Sequence, residues 1–331
     1  MLDYSARVLA DSVSEDGVRL STLEVVIPRF ILAEFNTHRV LSRNSASSRA
    51  IPVHKMVNQV LTAPFVPHRF SRNQAGMQAS EYWVPGDAEY DSARQSWLEA
   101  RDFAILSVVG LLAGRVESGR LLMDYTKTGQ LDGEETLSIL KEYEQRRKDG
   151  TLLSTDINTH KQVANRLLEN WVWQTIITSG TEWENFVALR EHFDAQDQIS
   201  IPARLVHAAL DGSTPEELSA GQWHMPLIMD DEKEEAMANP LLWRKVSAGR
   251  CARVSYLTHE GRRDVEADVR LFERLASGGH MSPLEHVATP DDSRQWFGNF
   301  RGWKQYRKFF PNEENYADIL RAKSEIDWTL E

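Results

Sequence analysis

The chain contains the stretch Phe35-Asn36-Thr37-His38-Arg39-Val40-Leu41-Ser42-Arg43-Asn44-Ser45-Ala46-Ser47-Ser48-Arg49, which directly follows an apolar run at residues 25–32. We call residues 35–49 the basic loop, because it has three arginines and four serines but no acid, glycine or proline. Over residues 29–72, seven lysines and arginines face one acid, Glu34, although the whole chain has a formal net charge of -11. Arginine forks and hydroxyl groups bind phosphate oxygens well. The stretch indicates a site for a small anionic ligand; the alternative is a basic surface that pairs with acids elsewhere in the chain.

The spacing within the basic loop resembles the signature of flavin-dependent thymidylate synthases. That family has Arg-His-Arg, seven residues and then Ser, with an Asn five residues after the second Arg and an Arg two residues after the Ser. The positions in register here are His38, Arg39, Asn44, Ser47 and Arg49. The chain departs from the pattern in two places, since Thr37 replaces the first arginine and Ser45 replaces an acid.

A second resemblance lies at Asn185-Phe186-Val187-Ala188-Leu189-Arg190, followed by Ala195-Gln196. It is similar to a helix of the same family in which the Asn touches flavin and the Arg lies at the pyrimidine. A fixed cation there stabilises the ring as it loses its N3 proton. Upstream, Asn165 and Arg166 fall where the family has a nucleotide-binding arginine, and strict alignment selects Asn165. The alternative for Arg190 is an ordinary cation at a helix C-terminus.

The third resemblance is the turn His280-Met281-Ser282-Pro283-Leu284-Glu285-His286, which is similar to a flavin-contacting turn of the family. We predict no metal site here, because Pro283 breaks the spacing of two histidines four residues apart on one helix face. Cys251 is the only cysteine. We interpret it as a small core residue and not as a nucleophile.

The motif order differs from that of the family, where the turn motif precedes the signature. Here the turn comes about 240 residues later, and a degraded second copy of the signature follows it, with Arg307 and Asn312 spaced like Arg39 and Asn44. We therefore expect the C-terminal turn to fold back beside the basic loop. Arg301 and Arg307 would lie at the edge of the site, where their charges would replace the cation missing at Thr37.

The composition is that of an ordinary globular protein, with 331 residues, 41% of them hydrophobic and 26% charged. No apolar run approaches the roughly 20 residues of a membrane span, and the N-terminus lacks the features of a signal peptide. One cysteine allows no internal disulfide, which suits a reducing cytoplasm. The acidic balance argues against bulk binding to nucleic acid.

Local patterns predict the secondary structure. Strands are expected at residues 8–10 and 20–27, around the turn Glu15-Asp16-Gly17. Apolar repeats and end signals predict helices at residues 54–61, 89–115, 134–148, 156–178, 182–190, 201–210, 264–277 and 316–323. The family resemblance implies an α+β fold, with an antiparallel sheet and a helical bundle. It implies one catalytic domain over residues 1–331, with the hairpin and basic loop in 1–88, a helical part in 89–210 and the flavin-turn segment in 245–331.

The resemblance also implies the activity. The implied reaction is methylation of dUMP to dTMP with bound FAD, with methylenetetrahydrofolate as carbon donor and NADPH as reductant, in a homo-oligomer that is tetrameric in the family. The cofactor-binding residues implied are His38, Arg39, Asn44, Ser45, Asn185, His280, Ser282 and Glu285. The substrate-binding residues implied are Glu34, Ser47, Ser48, Arg49, Asn165, Arg166 and Arg190, with catalytic roles for Arg190 and Ser47.

Two alternatives to this activity remain. One is a flavin- and folate-dependent enzyme that hydroxymethylates a pyrimidine deoxynucleotide, because Thr37, Ser179 and Thr181 replace residues that surround the flavin in the family. The other is a nucleotide-binding protein without turnover. The presence of Arg190 and Ser47 argues against a pure binder, which has little use for activation of the ring.

Overall fold

A computed structural model describes residues 3–76, 79–256, 258 and 263–325 of the chain. It is a mixed structure of helices and small sheets, as expected for an α+β protein. The strands are β1 Ser5–Ser14, β2 Arg19–Pro28, β3 Ser42–Ser45, β4 Phe70–Ser71, β5 Tyr82–Trp83, β6 Trp173–Gly180, β7 Glu216–Leu218, β8 Ala288–Pro290, β9 Trp296–Phe297, β10 Phe300–Arg301 and β11 Trp303–Gln305.

The helices vary greatly in length. The α-helices are α1 Leu32–Phe35, α2 Val53–Thr62, α3 Ala88–Thr128, α4 Gly133–Asp149, α5 Lys161–Ala164, α6 Glu184–Arg190, α7 Asp197–Asp211, α8 Lys233–Ala238, α9 Pro240–Ala252, α10 Val265–Ser277 and α11 Tyr316–Glu325. Short 3-10 helices cover Arg29–Ile31, Asn165–Trp171, Asp230–Glu232, Arg253–Tyr256, Ser282–Glu285 and Tyr306–Phe309.

The chain forms two compact units. The first, which we call the helical unit, includes Pro28–Leu32 and Ser47–Gln174. Helices α2 and α3 both pack against α4, and the 3-10 helix Asn165–Trp171 packs against α2 and α3. The core of this unit consists of aliphatic side chains that are almost fully buried, among them Val57, Val109, Leu112, Leu140 and Leu168.

Helix α3 is broken at Gly114, whose φ of 87° and ψ of 173° are not helical. A Cβ atom at this position would lie 2.0 Å from the carbonyl oxygen of Thr155. Glycine is therefore required both by the left-handed backbone and by the close approach of the segment that follows α4.

Replacement of Gly114 by alanine is expected to lower the free energy of unfolding by at least about 2 kcal/mol, because strain at positive φ and a backbone clash act together. Gly119 lies in the same helix, and nothing would meet a Cβ atom there within 4 Å. Gly119→Ala is therefore a matched control that should stabilise the protein by about 0.5–1 kcal/mol. Urea unfolding measures both changes; equal effects of the two variants would contradict the role of Gly114.

The second unit, which we call the sheet unit, includes Tyr4–Ile27, Ala33–Ala46 and the chain from Thr175 onward. Its main sheet has the strand order β3-β6-β2-β1-β7. The pairs β1–β2 and β3–β6 are antiparallel, whereas β1–β7 is parallel. Strand β2 is buried along almost its whole length, since it lies between β6 and β1.

A buried group of charges joins the helices of the sheet unit. Arg250 is 1% exposed and donates to Glu232 at 2.6 Å and to Asp268 at 3.1 Å, and Asp268 also accepts from Arg253 at 2.5 Å. Burial alone would raise the pKa of Glu232, but its hydrogen bonds, chiefly from Arg250, lower this pKa to about 2. Because every member of this group is paired, it fixes α10 against α9 and carries no free charge.

Several predicted elements are confirmed. The hairpin β1–β2 turns at Gly17, which has a φ of 77°, and α2 and α10 lie within two residues of their predicted bounds. Helix α4 ends at Gly150, whose φ of 69° gives a left-handed cap. Cys251 is a fully buried core residue, and burial raises the pKa of its thiol.

Other predictions are wrong. The helix predicted over 156–178 is instead the short helix α5, a 3-10 helix and strand β6. Strand β6 contains two threonines and two isoleucines, which suit a buried strand, and all but one of its residues are buried. Helix α9 lies partly in a region interpreted as turns; Asn239 caps its start, and Pro240 is its first residue. By contrast, the predicted end of a helix at residue 115 agrees with the break of α3 at Gly114, after which a second helical segment continues to Thr128.

Candidate functional site

Arg190, the last residue of α6, lies directly against the basic loop within the sheet unit. Its Nε donates to Nε2 of His38 at 2.8 Å, and its Nη2 lies 3.1 Å from Oγ1 of Thr37 and 3.4 Å from the carbonyl oxygen of Glu34. Thr37 Oγ1 in turn donates to that carbonyl at 2.7 Å. Two motifs that are about 150 residues apart in sequence therefore meet in one cluster, and one cation connects them.

His38 is buried and neutral in this cluster. Its ring lies edge-on to Phe186, with 4.9 Å between the ring centroids, and 7% of the residue is exposed. Burial, together with the charges of Arg190 and Arg43, lowers the pKa of His38 to about 4. At neutral pH the imidazole accepts the Arg190 hydrogen bond on an unprotonated Nε2. The positive charge of the site therefore belongs to the guanidinium groups and not to the histidine.

The neighbouring residues Arg43 and Asn44 fix the backbone of the loop. Nη1 of Arg43 donates to the carbonyl oxygen of His38 at 2.6 Å. Burial lowers the pKa of Arg43, while Glu285 acts in the opposite direction. Asn44 is buried and donates from Nδ2 to the carbonyl oxygen of Cys251 at 3.2 Å. Ser45 ends β3 and is half-buried. Asn44 thus anchors β3 to α9 by its own side chain.

The C-terminal turn lies beside the basic loop, as expected from the motif order. The 3-10 helix Ser282–Glu285 packs against β3. His280 and Ser282 are exposed, and Glu285 is half-buried and paired with Arg307. Burial, and secondarily the charge of Lys323, lowers the pKa of His280. Asn185 is exposed on α6.

Arg301 and Arg307 do not replace the missing cation at Thr37, in contrast to our expectation. Arg301 pairs with Glu182 at 2.7 Å, and Arg307 pairs with Glu285 and, at 2.9 Å, with Glu313. Carboxylates therefore neutralise both charges. The cation that contacts Thr37 is Arg190 itself.

The remaining candidates belong to the helical unit. Asn165 is fully buried, and its Nδ2 donates to the carbonyl oxygens of Ser48 at 2.6 Å and Ile51 at 3.0 Å. Ser48 donates to Glu169 at 3.0 Å, and the half-buried Ser47 accepts from the backbone of Ala50 through its carbonyl oxygen at 3.0 Å. Asn165 therefore holds the end of the basic loop in place.

Cations without a carboxylate partner remain in the loop. Arg39 in the sheet unit and Arg49 in the helical unit are exposed, and neither forms an ion pair with any residue in the described ranges. Arg166 is also exposed but pairs with Glu169 at 2.8 Å. The interpretation of the basic loop as a surface paired with acids therefore does not hold for Arg39 and Arg49.

The sheet unit also contains a buried chain of hydroxyl and imidazole groups that no sequence motif indicates. Ser12 contacts Nδ1 of His224 at 2.9 Å, Thr22 contacts Nε2 at 2.8 Å and Ser179 at 2.5 Å, and Ser179 contacts Nδ1 of His286 at 2.8 Å. Burial lowers the pKa of both histidines to about 3, so both are neutral. These contacts connect β1, β2 and β6 to the C-terminal turn.

Comparison with models of known protein families gives no match, and a search among curated proteins gives none either. Within the described residues, no group of three or more histidine, cysteine or acidic side chains is arranged to hold a metal ion. No helix in the same part of the chain is long and apolar enough to cross a membrane.

Proposed function

We propose that the protein is an enzyme similar to flavin-dependent thymidylate synthases, with a related α+β fold, which methylates dUMP to dTMP. The observation that carries the proposal is the contact of Arg190 with His38 and Thr37 at 2.8 and 3.1 Å. Arg190 and the basic loop belong to two separate motifs of one resemblance, and their contact in one cationic cluster is what a site for an anionic nucleotide needs.

The residues around the loop fit FAD as a cofactor. Arg39 offers an exposed cation without an acidic partner in the described ranges, and the exposed Asn185, His280 and Ser282 offer neutral hydrogen-bonding groups. His38, Asn44, Ser45 and Glu285 complete the proposed cofactor set. FAD supplies the redox chemistry of the reaction when bound, with NADPH and methylenetetrahydrofolate as co-substrates.

Arg190 is the residue that we propose to polarise the pyrimidine. A guanidinium keeps its charge at any working pH, and the neutral His38 beside it accepts a hydrogen bond without competing for the anion. Glu34, Ser47, Ser48, Arg49 and Arg166 are the proposed dUMP-binding set, together with Asn165, which acts by holding the loop. Ser47 retains its proposed catalytic role.

We expect the purified protein to be yellow, or to take up added FAD with a visible absorbance band and quenched flavin fluorescence. Arg39→Gln removes an exposed charge and should weaken FAD binding by at least about tenfold, since a hydrogen bond to a charged group contributes about 1.5–3 kcal/mol. Arg204 is an exposed arginine of α7, and Arg204→Gln is the matched control. A colourless protein that also fails to quench added FAD would exclude the proposed cofactor.

The hydroxymethylating alternative has one observation in its favour. Ser179 and Thr181 stand where the family has Asn and Arg, and both are used within the protein: Ser179 contacts Thr22 and His286, and Thr181 accepts from the backbone of Arg301 at 3.1 Å. The flavin surroundings therefore differ from those of the family. Incubation with dUMP, methylenetetrahydrofolate and NADPH, followed by product mass, separates a methyl from a hydroxymethyl product.

We further propose that the enzyme is a homo-oligomer of the cytoplasm. Helix α3 exposes several large apolar side chains, namely Phe103, Val116, Leu122 and Met123. Apolar side chains exposed in this number along one helix favour association with a second copy.

A further inference from the structure

The hairpin β9–β10 presents a polar side chain to the basic loop. Strands β9 and β10 pair at Phe297 and Phe300, and the turn between them is Gly298-Asn299. Gly298 has a φ of 72°, and a Cβ atom there would lie 2.3 Å from Oε1 of Gln305. Glycine at this turn therefore lets the amide of Gln305 come close to the hairpin, next to Asn299.

Asn299, Gln305 and Ser42 form a hydrogen-bonded triangle that we call the polar clasp. Oδ1 of Asn299 accepts from Ser42 Oγ at 2.9 Å and from Gln305 Nε2 at 2.8 Å, and Gln305 Nε2 lies 3.1 Å from Ser42 Oγ. Gln305 and Ser42 are 1% and 2% exposed. Nδ2 of Asn299 reaches the carbonyl oxygen of Arg39 at 3.4 Å. The clasp thus holds residues 39–42 from a hairpin about 260 residues away in sequence.

The part of the basic loop that precedes β3 needs such support because its own backbone forms few hydrogen bonds. Between Phe35 and β3, apart from bonds that belong to α1, the backbone hydrogen bonds among the described residues are those from Thr37 to Glu34, His38 to Phe35 and Leu41 to His38. Arg190 holds the loop at Thr37 and His38, and the clasp holds it at Arg39 and Ser42. A loop that is ordered before binding loses less conformational entropy when the ligand binds.

We propose that Asn299 and Gln305 are positioning residues, which order residues 39–42 and so raise the affinity of the basic loop for its anionic ligand. The ligand part of this inference rests on the proposed function, whereas the ordering of the loop does not. Asn299 lies outside the motifs that resemble the flavin family, whereas Gln305 is the first residue of the degraded second copy of the signature, Gln305-Tyr306-Arg307.

Amide hydrogen exchange of the wild type and Asn299→Ala tests the ordering without any ligand. Loss of the triangle destabilises the closed loop and should accelerate amide exchange at Leu41. We expect a factor of about ten, because each hydrogen bond removed stabilises the closed loop only modestly. Gln305→Met, which keeps the side-chain volume, should act in the same direction. Asn312 is the matched control, since its Nδ2 also donates to two backbone carbonyls, those of Ala276 at 2.9 Å and Ser277 at 3.2 Å. Asn312→Ala should leave exchange at Leu41 unchanged.

Titration with FAD gives the second readout. The proposal is supported if a clasp variant shows faster exchange in the loop and binds FAD at least about threefold more weakly than the wild type. The melting temperature of that variant must also be no lower than that of Asn312→Ala. Unchanged exchange in both clasp variants overturns it, and so does faster exchange with unchanged FAD affinity. If the wild type binds no FAD while exchange in Asn299→Ala is faster, the proposed function and the ligand role fail, and the ordering role of the clasp stands.

Discussion

Replacement of Arg190 by alanine is expected to reduce turnover of dUMP by about ten- to a hundred-fold or more when the variant is saturated with FAD. A charge-assisted hydrogen bond contributes about 1.5–3 kcal/mol, and each 1.36 kcal/mol lost from the transition state is about tenfold in rate. Arg190 is half-buried at the end of α6, with its charge held against His38 and Thr37. Steady-state kinetics with FAD-loaded enzyme measures the change.

The structure adds a second consequence of this substitution. Arg190 also fixes the loop through His38 and the carbonyl oxygen of Glu34, so alanine removes both a charge and an anchor. Arg190→Lys keeps the charge but loses the planar fork, and it should recover part of the rate if the charge itself acts on the substrate. Arg204→Ala on α7 removes an exposed arginine and is the control. Near-normal turnover in Arg190→Ala would exclude the residue from the mechanism.

Elements with local end signals could be predicted from the sequence. The turn at Gly17, the cap of α4 at Gly150 and the amphipathic helix α10 each depend on residues within a few positions. Strand β6 could not be predicted in the same way, because Trp173–Gly180 begins one residue after two short helices and no glycine or proline marks the boundary. Its partner β3 is about 130 residues away, and this non-local pairing overrides the helical pattern.

The proximity of the candidate segments was predictable where motifs indicated it, and was not predictable where it depends on single polar residues. The resemblance paired Arg190 with the basic loop and brought the turn at Ser282–Glu285 to β3, and the structure places these segments together. Asn299 lies in a hairpin without any motif, so only the folded chain shows its contact with Ser42. The partners of Arg307 were likewise hidden, because a charge does not reveal in sequence which acid it meets.

Acid destabilisation through the buried histidines is the second large effect that we expect. His224 and His286 are fully buried in the hydroxyl chain with Thr22 and Ser179, and burial lowers the pKa of each to about 3 from a usual value of 6.5. The nearby Asp11 partly opposes this shift at His224, and His224 adds to it at His286. In the unfolded chain both histidines take up a proton near pH 6.5, whereas in the folded chain both stay neutral.

The sign of the effect follows from this difference. Below pH 6.5 the unfolded state binds more protons, so the free energy of unfolding should fall as the pH is lowered from about 6.5 toward 3. At pH 5 each histidine should account for about 2 kcal/mol, since one pKa unit corresponds to about 1.36 kcal/mol. His286→Asn keeps a polar atom near the position of Nδ1 and removes the titration. Its stability relative to the wild type at pH 8 gives the packing cost, and the wild type should lose about 2 kcal/mol more than the variant between pH 8 and pH 5. The free energy of unfolding of both proteins is measured by urea unfolding and plotted against pH. Parallel curves would show that His286 takes up its proton in the folded state as readily as in the unfolded state, and that the acid sensitivity has another source.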